Sequence, residues 1–234
     1  MIAYDKQTYN APNPLARLAH RARYGAADRL VRKYLRSAEA AMLDFGCGDG
    51  RMLERVRLFA PLAELVGYEP LMEEGAGLHT QYKRVSTEAD VRHGQYDLIT
   101  AFEVLEHLEP QEIDGFVTLA RETLREGGVL IVSVPIMLGP VLIPKLINAQ
   151  YVRKSTWRYS LSEMIGAAFF LKPVPRFRGT GYLTHKGFDW RMLRDRLSQD
   201  FELREEEFSP FPVLPWGLNS QWFGVFRPLP RSVA

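Results

Sequence analysis

The sequence predicts an α/β protein in which a parallel sheet carries helices on both faces. Three observations predict this fold class: strand and helix patterns alternate between residues 41 and 135, a turn with alternating glycines follows the first strand, and the segment 129–135 reads as an apolar strand. Alternation of strands and helices calls for parallel strands, and strands covered on both faces are short apolar runs. The 234 residues, 46% of them hydrophobic, suffice for one domain with a large core.

The individual elements follow from the spacing of apolar residues along the chain. Apolar positions at helical spacing predict a helix over 14–35, continuous or broken near Gly25, with Asn13 as its N-cap. Gly127 and Gly128 are predicted to end the last helix before the apolar strand. The predicted strands of this half are 41–45, 65–70, 82–86, 96–102 and 129–135, and the helices between them are 51–60, 71–79 and 110–126.

Composition narrows the class of protein before any motif is considered. Lys and Arg number 30 against 28 for Asp and Glu, a formal net charge of +2, which gives no overall case for nucleic-acid binding. The single cysteine, Cys47, excludes an intramolecular disulfide and favours a reducing compartment. The amino terminus lacks the pattern of a signal peptide, and the longest apolar run, 129–143, is shorter than the roughly 20 residues of a membrane-spanning helix. We therefore expect a cytoplasmic protein.

The turn after the first strand has the chemistry of a nucleotide site. Gly46, Gly48 and Gly50 alternate directly behind Asp44, and glycines permit positive φ angles and a close approach of the backbone to a ligand. A dinucleotide-binding GxGxxG would need a glycine at position 51, which this chain does not have. Glu69 follows the glycines by about twenty residues, where an acid accepts hydrogen bonds from both hydroxyls of a ribose.

A second motif, EVLEHL at residues 103–108, directly follows the strand 96–102. Together with the GxGxG turn, the acid before it and Glu69, it resembles the class I S-adenosylmethionine (SAM) dependent methyltransferases. The motif itself is similar to that of the ubiquinone-type O-methyltransferase branch and its small-molecule relatives. The resemblance implies a doubly wound, seven-stranded, mostly parallel sheet with an antiparallel carboxyl-terminal hairpin, formed by strands 201–208 and 221–226. It also implies SAM as cofactor and S-adenosylhomocysteine as product.

The resemblance further divides the chain, residues 1–234, into the parts of a single methyltransferase domain. These are an amino-terminal helical segment, a SAM-binding half, a helical lid insertion and a final helix with the hairpin, at 1–40, 41–135, 136–183 and 184–234. The residues that it assigns to the cofactor are Asp44, Gly46, Cys47, Gly48, Gly50, Glu69, Pro70, Phe102 and Glu103.

Catalysis is expected from Glu106, His107 and His185, because methylation of a hydroxyl is helped by a general base near the cofactor's methyl group. Two structural alternatives stay open at this point. Glu106 and His107 would equally serve to anchor the helix that follows them. His185 would equally cap the helix that runs through Met192 and Leu197.

A metal-assisted reaction is the second reading of the same motif. Small-RNA 3′-terminal 2′-O-methyltransferases combine a similar Glu, Glu, His motif with a later histidine to hold a divalent ion. The matching positions here are Glu103, Glu106, His107 and His185. Carboxylates with imidazoles are a reasonable set for Mg²⁺ or Mn²⁺. The near-neutral net charge favours a small acceptor over RNA, so we expect no metal and no nucleic-acid partner.

The main expectation is a SAM-dependent methyltransferase that acts on an oxygen of a small or amphipathic acceptor, the choice of oxygen coming from the resemblance. A SAM-fold protein that binds without turnover is the alternative from another class. The lid combines aromatic residues with seven basic ones: Lys145, Arg153, Lys154, Arg158, Lys172, Arg176 and Arg178. Such a segment suits an enclosed acceptor with an apolar body and an anionic group, or a peripheral contact with an anionic membrane. The enclosed acceptor is favoured, because no amphipathic repeat is clean.

Overall fold

The chain forms one seven-stranded sheet with helices on both faces. The computed structural model describes residues 14–70, 81–91, 95–149, 159–179 and 183–230. The strands are β1 (Ala41–Phe45), β2 (Glu64–Tyr68), β3 (Lys83–Val85), β4 (Tyr96–Phe102), β5 (Leu124–Pro135), β6 (Phe201–Ser209) and β7 (Gln221–Pro228). The helices are α1 (Pro14–Tyr34), α2 (Arg51–Phe59), α3 (Pro110–Thr123), α4 (Leu142–Ile147), α5 (Leu161–Phe169) and α6 (Trp190–Leu197).

The strand order across the sheet is β3-β2-β1-β4-β5-β7-β6. Strands β1 to β5 pair in parallel with their neighbours, and β7 runs antiparallel to both β5 and β6. This confirms the predicted doubly wound sheet with an antiparallel carboxyl-terminal hairpin. The winding direction reverses between β1 and β4, and ligands of open α/β sheets bind beyond the carboxyl ends of the strands at such a point.

Each face of the sheet has its own apolar core. Successive residues of a strand point to opposite faces, so Met42 and Leu43 of β1 enter different clusters. Met42 packs in the cluster that contains Leu53 and the helices α1 and α2. Leu43 packs in the cluster that contains Phe116 of α3 and Leu193 of α6. Strands β1 and β4 lie between these two layers of helices, and the candidate site lies in the loops after these strands.

Two helices can be compared with the extents that the sequence predicts. Helix α1 continues through Gly25 as one helix. Helix α3, in contrast, ends at Thr123 rather than near residue 126, and the prediction that Gly127 and Gly128 cap it is wrong. The reason is that buried Leu124 adopts an extended conformation and already pairs with β4. The glycines lie inside β5, where its register against β4 shifts. Asn13 and the helix predicted at 71–79 lie outside the described residues.

The predicted lid contains two short helices in its described part, α4 and α5. Helix α5 begins with a capping box in which the Ser160 side chain accepts from the Glu163 amide. Lys145 does not belong to a basic rim, because its Nζ is buried and donates to the carbonyls of Ile136 and Ser220 at 2.8 and 2.7 Å. Burial lowers the pKa of Lys145 to about 8. Among the residues described, no helix combines the length and apolar character that crossing a membrane requires.

Candidate functional site

The glycine turn joins the end of β1 to the end of β2. The amides of Gly46 and Cys47 both donate to the Tyr68 carbonyl, at 2.8 and 3.1 Å. The Gly48 amide donates to Glu69 Oε2 at 3.1 Å. Glu69 is the residue directly after β2, so the predicted acid lies beside the predicted turn, one residue beyond the strand in which it was expected.

Positive φ angles explain why this turn needs glycine. Gly46 and Gly48 have φ angles of 72° and 53°, a region that costs any residue with a β-carbon. A β-carbon at Gly46 would also collide with the Val104 side chain at 2.4 Å. At Gly48, no protein atom lies within 4 Å of the position that a β-carbon would take. The turn is therefore closed against the protein at Gly46 and open at Gly48.

A pocket of about 460 Å³ lies beyond the ends of β1 and β4. Seven of the nine predicted cofactor residues line it: Asp44, Gly46, Cys47, Gly48, Glu69, Phe102 and Glu103. Gly50 and Pro70 are not part of its lining. A β-carbon at Gly50 would collide with the Tyr82 hydroxyl, and Pro70 is exposed after β2. Most of the residues chosen from the sequence thus line one pocket, and Gly50 and Pro70 lie outside its lining.

The charged groups of the pocket are tuned mainly by burial. Burial raises the pKa of Asp44 to about 7, although the Thr100 hydroxyl donates to its Oδ1 at 2.7 Å and opposes the shift. Burial also raises the pKa of Cys47 to about 12, and the carboxylates of Asp44 and Glu69 act in the same direction. Cys47 is consequently an unreactive thiol that packs under the turn.

Helix α1 supplies a wall of the pocket that sequence reasoning did not predict. Arg23, Tyr24 and Ala27 line the cavity together with the glycine turn. Arg23 Nη1 donates to Glu103 Oε2 at 2.8 Å, and this ion pair attaches the helix to the end of β4. The apolar spacing of α1 predicts which side of the helix is buried, but it does not predict which polar residue of the helix reaches the pocket.

Glu103 has the most constrained backbone of the predicted residues. Its φ angle is 59°, which is uncommon for a residue with a side chain. Its amide donates to the Ser133 carbonyl at 3.0 Å, and its carboxylate also accepts from the Gln221 side chain. Arg23 and Gln221 thus hold the Glu103 carboxylate in the wall of the pocket. Strain of this kind clusters at functional sites.

A second group of side chains lies next to this pocket, just past Glu103. Glu106 Oε1 is 3.8 Å from His107 Nε2 and 3.7 Å from His185 Nε2, and the two Nε2 atoms are 3.3 Å apart. The structure thus brings together the three predicted catalytic residues from two distant parts of the chain. We refer to Glu106, His107 and His185 as the Glu-His-His cluster. Glu103, the fourth residue of the metal alternative, is held apart from it by Arg23 and Gln221.

The carboxylate of Glu106 in the Glu-His-His cluster makes no hydrogen bond. The Glu106 side chain is fully buried, and neither carboxylate oxygen has a hydrogen-bond partner. Burial raises the pKa of Glu106 well above its ordinary value, and the Glu103 carboxylate raises it further. His107 Nδ1 lies 2.8 Å from the Leu183 carbonyl, which can only accept, so Nδ1 carries the proton and the Nε2 of the neutral ring is an acceptor.

The helix ends bear on one of the two structural alternatives, the capping role of His185, which the structure does not show. Helix α3 is capped by Glu109, whose capping box uses Glu112. Helix α6 is capped by Asp189, whose side chain accepts from the Arg191 amide. Neither helix relies on the Glu-His-His cluster for its cap. Chemically, the cluster can accept a proton from a hydroxyl group, and its three ligand atoms lie within 4.8 Å of one another, as a site for a metal ion requires.

Comparison with known proteins identifies the family. The family model described as "Methyltransferase domain" matches residues 18–196, a span that includes the glycine turn, the pocket and the Glu-His-His cluster. The chain belongs to the class I SAM-dependent methyltransferases. It is therefore an enzyme that uses SAM, and the pocket fits this cofactor: Gly48 is open on the ligand side, and the buried Ser133 hydroxyl in the lining has no hydrogen-bond partner.

Individual proteins similar to this chain have low sequence identity to it. A ubiquinone biosynthesis O-methyltransferase from Escherichia fergusonii is 30% identical over 121 residues, which are 47% of this chain and 49% of that protein. The chain thus aligns with about half the length of this curated relative. The PH0226 protein of Pyrococcus horikoshii OT3 shares the fold, with a TM-score of 0.63 at 16% identity over 97% of this chain and 96% of that one.

A third protein has the same fold, and its name describes methylation of a nitrogen. The 1,6-didemethyltoxoflavin-N1-methyltransferase of Burkholderia thailandensis, solved with S-adenosylhomocysteine, superposes with a TM-score of 0.54 at 13% identity. The match covers 87% of this methyltransferase and 76% of that chain. The fold therefore carries both N- and O-methylation among proteins similar to this one, and the acceptor atom has to be argued from the site.

Proposed function

We propose that this methyltransferase transfers the methyl group of SAM to a hydroxyl oxygen of a small or amphipathic acceptor. The observation that carries the proposal is the Glu106 carboxylate, fully buried beside two imidazoles with both oxygens unpartnered. A nitrogen acceptor that is already nucleophilic needs no such group. A hydroxyl does, because it must lose its proton as the new bond forms.

The proposed roles follow the two parts of the site. The Glu69 carboxylate binds the ribose hydroxyls, and the open turn at Gly48 lies under the methionine part of SAM. The hydroxyl oxygen attacks the methyl carbon, the bond from that carbon to sulfur breaks, and S-adenosylhomocysteine is formed. The hydroxyl proton passes to the Glu-His-His cluster, where the raised pKa of Glu106 makes its carboxylate a stronger base than an exposed glutamate.

A divalent cation is a second way in which the same cluster would activate a hydroxyl. Glu106, His107 and His185 would hold it, since a carboxylate with two imidazoles is a donor set for Mg²⁺, Mn²⁺ or Zn²⁺. The orphaned oxygens of Glu106 and the acceptor Nε2 of His107 support the fit. Such an ion would lower the pKa of a bound hydroxyl. Contact of Glu103 with Arg23 and Gln221 leaves that carboxylate out of the set.

Exposed aromatic side chains in the lid indicate which class of acceptor the enzyme would bind. In its described part, α5 buries Gly166, Ala167 and Ala168 but leaves Phe169 and Phe170 more than half exposed. These exposed rings favour an amphipathic acceptor that is drawn from a membrane surface, as a variant of the small-acceptor proposal. Co-sedimentation with anionic vesicles at low and moderate salt tests this variant: membrane contact gives salt-sensitive binding, and an enzyme for a freely dissolved acceptor stays in the supernatant.

Transfer of tritiated methyl from SAM tests the proposal directly. The enzyme is offered matched phenols and anilines and a short RNA with a free 2′-hydroxyl, each with and without a chelator. We expect transfer to the phenols to exceed transfer to the anilines, and RNA to be a poor acceptor. Loss of activity with the chelator and its return with Mg²⁺ or Mn²⁺ would favour the cation. Transfer mainly to nitrogen would overturn the proposal.

A further inference from the structure

Arg176, in the irregular segment after α5, reaches into the Glu-His-His cluster from the lid side. Its Nη2 group donates to the main-chain carbonyl of Glu106. Its guanidinium carbon lies 5.3 Å from the centre of the Phe188 ring. The residue is far from Glu106 in the sequence, so the contact is a tertiary one that fixes where the guanidinium sits. Arg176 is thus built into the acceptor side of the site.

The second terminal nitrogen of the same guanidinium, Nη1, makes no hydrogen bond. Arg176 Nη1 is buried and has no hydrogen-bond partner. The Glu106 carboxylate does not fill this role, since both of its oxygens are also without partners. Buried polar groups are normally satisfied, and an unsatisfied charged donor is costlier still. A donor on Arg176 and two acceptor oxygens on Glu106 are therefore both left for something that binds between the lid and the sheet.

The neighbouring basic side chains indicate which charged group the bound molecule would carry. Lys145 is bound to two main-chain carbonyls, Lys186 to the Glu163 carboxylate at 3.0 Å, and Arg178 to Glu109. Of these four basic residues around the cluster, Arg176 is the one with an unsatisfied donor. A single free Nη group, with its two N–H donors, suits the one negative charge of a carboxylate better than a dianionic phosphate, which donors from several residues usually bind.

We propose that Arg176 Nη1 binds a carboxylate of the methyl acceptor while the acceptor's hydroxyl lies against Glu106. The inference rests on the proposed function and names its substrate class: hydroxy acids with an apolar or aromatic body. Phe188 and Tyr159 are placed to contact that body. Phe188 is buried under the guanidinium, and the Tyr159 hydroxyl accepts from the Gly187 amide at 3.4 Å, which holds its ring on the same side. Arg176 is a specificity residue in this scheme.

The test compares acids with their esters. The probes are 2-, 3- and 4-hydroxybenzoate and 3,4-dihydroxybenzoate, each beside its methyl ester, which removes the charge and keeps the hydroxyl. Calorimetry with enzyme saturated in S-adenosylhomocysteine gives the ratio of ester to acid dissociation constants, and tritiated SAM gives the ratio of kcat/KM. In the wild type we expect at least one pair to favour the acid about tenfold or more, the scale of a charge-assisted hydrogen bond.

Variants assign the preference to Arg176. Arg176→Gln retains a donor for the Glu106 carbonyl and removes the charge, so the ratio should fall to about one. Arg176→Lys keeps the charge without the fork of donors, so it should retain part of the preference for the acid. This variant also keeps the test possible if Arg176→Gln does not fold. Arg178→Met is the matched control, because it removes an equal charge that is paired with Glu109 on the surface. Its ratio should equal that of the wild type.

The outcomes separate this inference from the proposed function. A preference for the acid that persists in Arg176→Gln, or a wild-type ratio near one, including failure of every probe to bind, overturns the carboxylate subsite. An Nη1 group that merely holds a water molecule would give that result. Methyl transfer without acid preference leaves the proposed function standing alone. Acid binding that depends on Arg176, without transfer to any hydroxyl, supports the subsite and contradicts the proposed function.

Discussion

The glycine-turn pocket and the proposed acceptor side of this methyltransferase are built by different means. On the cofactor side, the pocket is shaped by main chain: the turn 46–50, its amide bonds to the end of β2 and the positive φ angles of its glycines. The proposed acceptor side is made of side chains from the 3₁₀ turn Leu105–His107, the lid and the segment before α6. Main-chain shape suits a cofactor that is the same in every relative, whereas side chains suit an acceptor that differs between them.

This difference predicts that mutations on the proposed acceptor side lower turnover, whereas mutations on the cofactor side lower SAM affinity. The largest effect is expected in Glu106→Gln, which removes the proposed base without changing side-chain size. Turnover should fall by about 10²- to 10⁴-fold, the usual contribution of a positioned acid or base. His107→Ala and His185→Ala should also lower turnover more than SAM affinity. Steady-state kinetics and calorimetry with S-adenosylhomocysteine measure the two quantities.

His20→Ala is the control for the imidazole variants, because His20 lies in α1 and belongs neither to the pocket lining nor to the Glu-His-His cluster. It should leave turnover unchanged. Equal losses of turnover, cofactor affinity and thermal stability in the three cluster variants would show that these residues anchor the structure instead of acting on the acceptor. The distinction between the two sides would then break down.

On the cofactor side, Gly48→Val is expected to have the strongest effect. Its β-carbon would enter the open side of the turn, where the protein has no atom within 4 Å, so the side chain would occupy cofactor space. Calorimetry should show SAM affinity lowered by about 100-fold or more, close to 3 kcal/mol. Gly127→Val is the matched control. Gly127 also has a positive φ angle, 77°, and open space around it, but it lies inside β5.

Backbone strain alone would lower stability in both glycine variants. Loss of SAM affinity in Gly48→Val only would assign the effect to the pocket. Unchanged affinity in a folded Gly48→Val protein would contradict the placement of the cofactor against this turn.

How far the sequence predicts each side follows the same division. The glycine turn and Glu69 are found by spacing, because a main-chain cradle needs particular residue types at fixed intervals after a strand. The Glu106 and His107 pair is found by its local motif. His185 is a prediction from resemblance, and its 3.3 Å approach to His107 depends on packing of the chain across the lid.

Sequence reasoning did not predict Arg23 as a site residue, and it named Arg176 only as one of seven basic residues of the lid. Each is one of many basic residues in its segment, with no local pattern that sets it apart. Arg23 becomes a pocket residue because α1 packs over the end of β4, and Arg176 reaches Glu106 because the chain folds back after α5. Tertiary contacts of this kind have no signature in spacing. The end of α3 was missed for a related reason, since strand pairing of Leu124 overrides the glycine signal.

Glu69→Ala sharpens the cofactor side at the level of a single contact. If the carboxylate binds the ribose hydroxyls, its removal should cost about 1.5 to 3 kcal/mol of SAM binding free energy, as charge-assisted hydrogen bonds do. Glu64→Ala, at the opposite and exposed end of β2, is the control and should bind SAM as the wild type does. A loss below a few tenths of a kcal/mol in Glu69→Ala would refute the ribose role, and the acid would then serve only to accept from the Gly48 amide.

The smallest expected effect concerns the stability of the cofactor side without its ligand. The folded pKa of Asp44 is raised from 3.8 to about 7, mainly by burial. A carboxyl group with a raised folded pKa stabilises the fold at pH values below its unfolded pKa, and this contribution is lost as the pH rises through the folded pKa. Between pH 5 and pH 7.5, ionisation of Asp44 should therefore remove about 1 to 2.5 kcal/mol from the free energy of unfolding.

Urea denaturation of the wild type and Asp44→Asn at these two pH values isolates that contribution, because Asn cannot ionise. The free energy of unfolding should fall less with pH in the variant than in the wild type. Asp97→Asn is the control for an acid on the sheet, since Asp97 accepts from Arg125 at 2.7 Å and is only half-buried. Its pH dependence should match that of the wild type. Equal slopes in wild type and Asp44→Asn would mean that Asp44 is ionised in the fold across this range, with Thr100 and the turn supplying more stabilisation than burial removes.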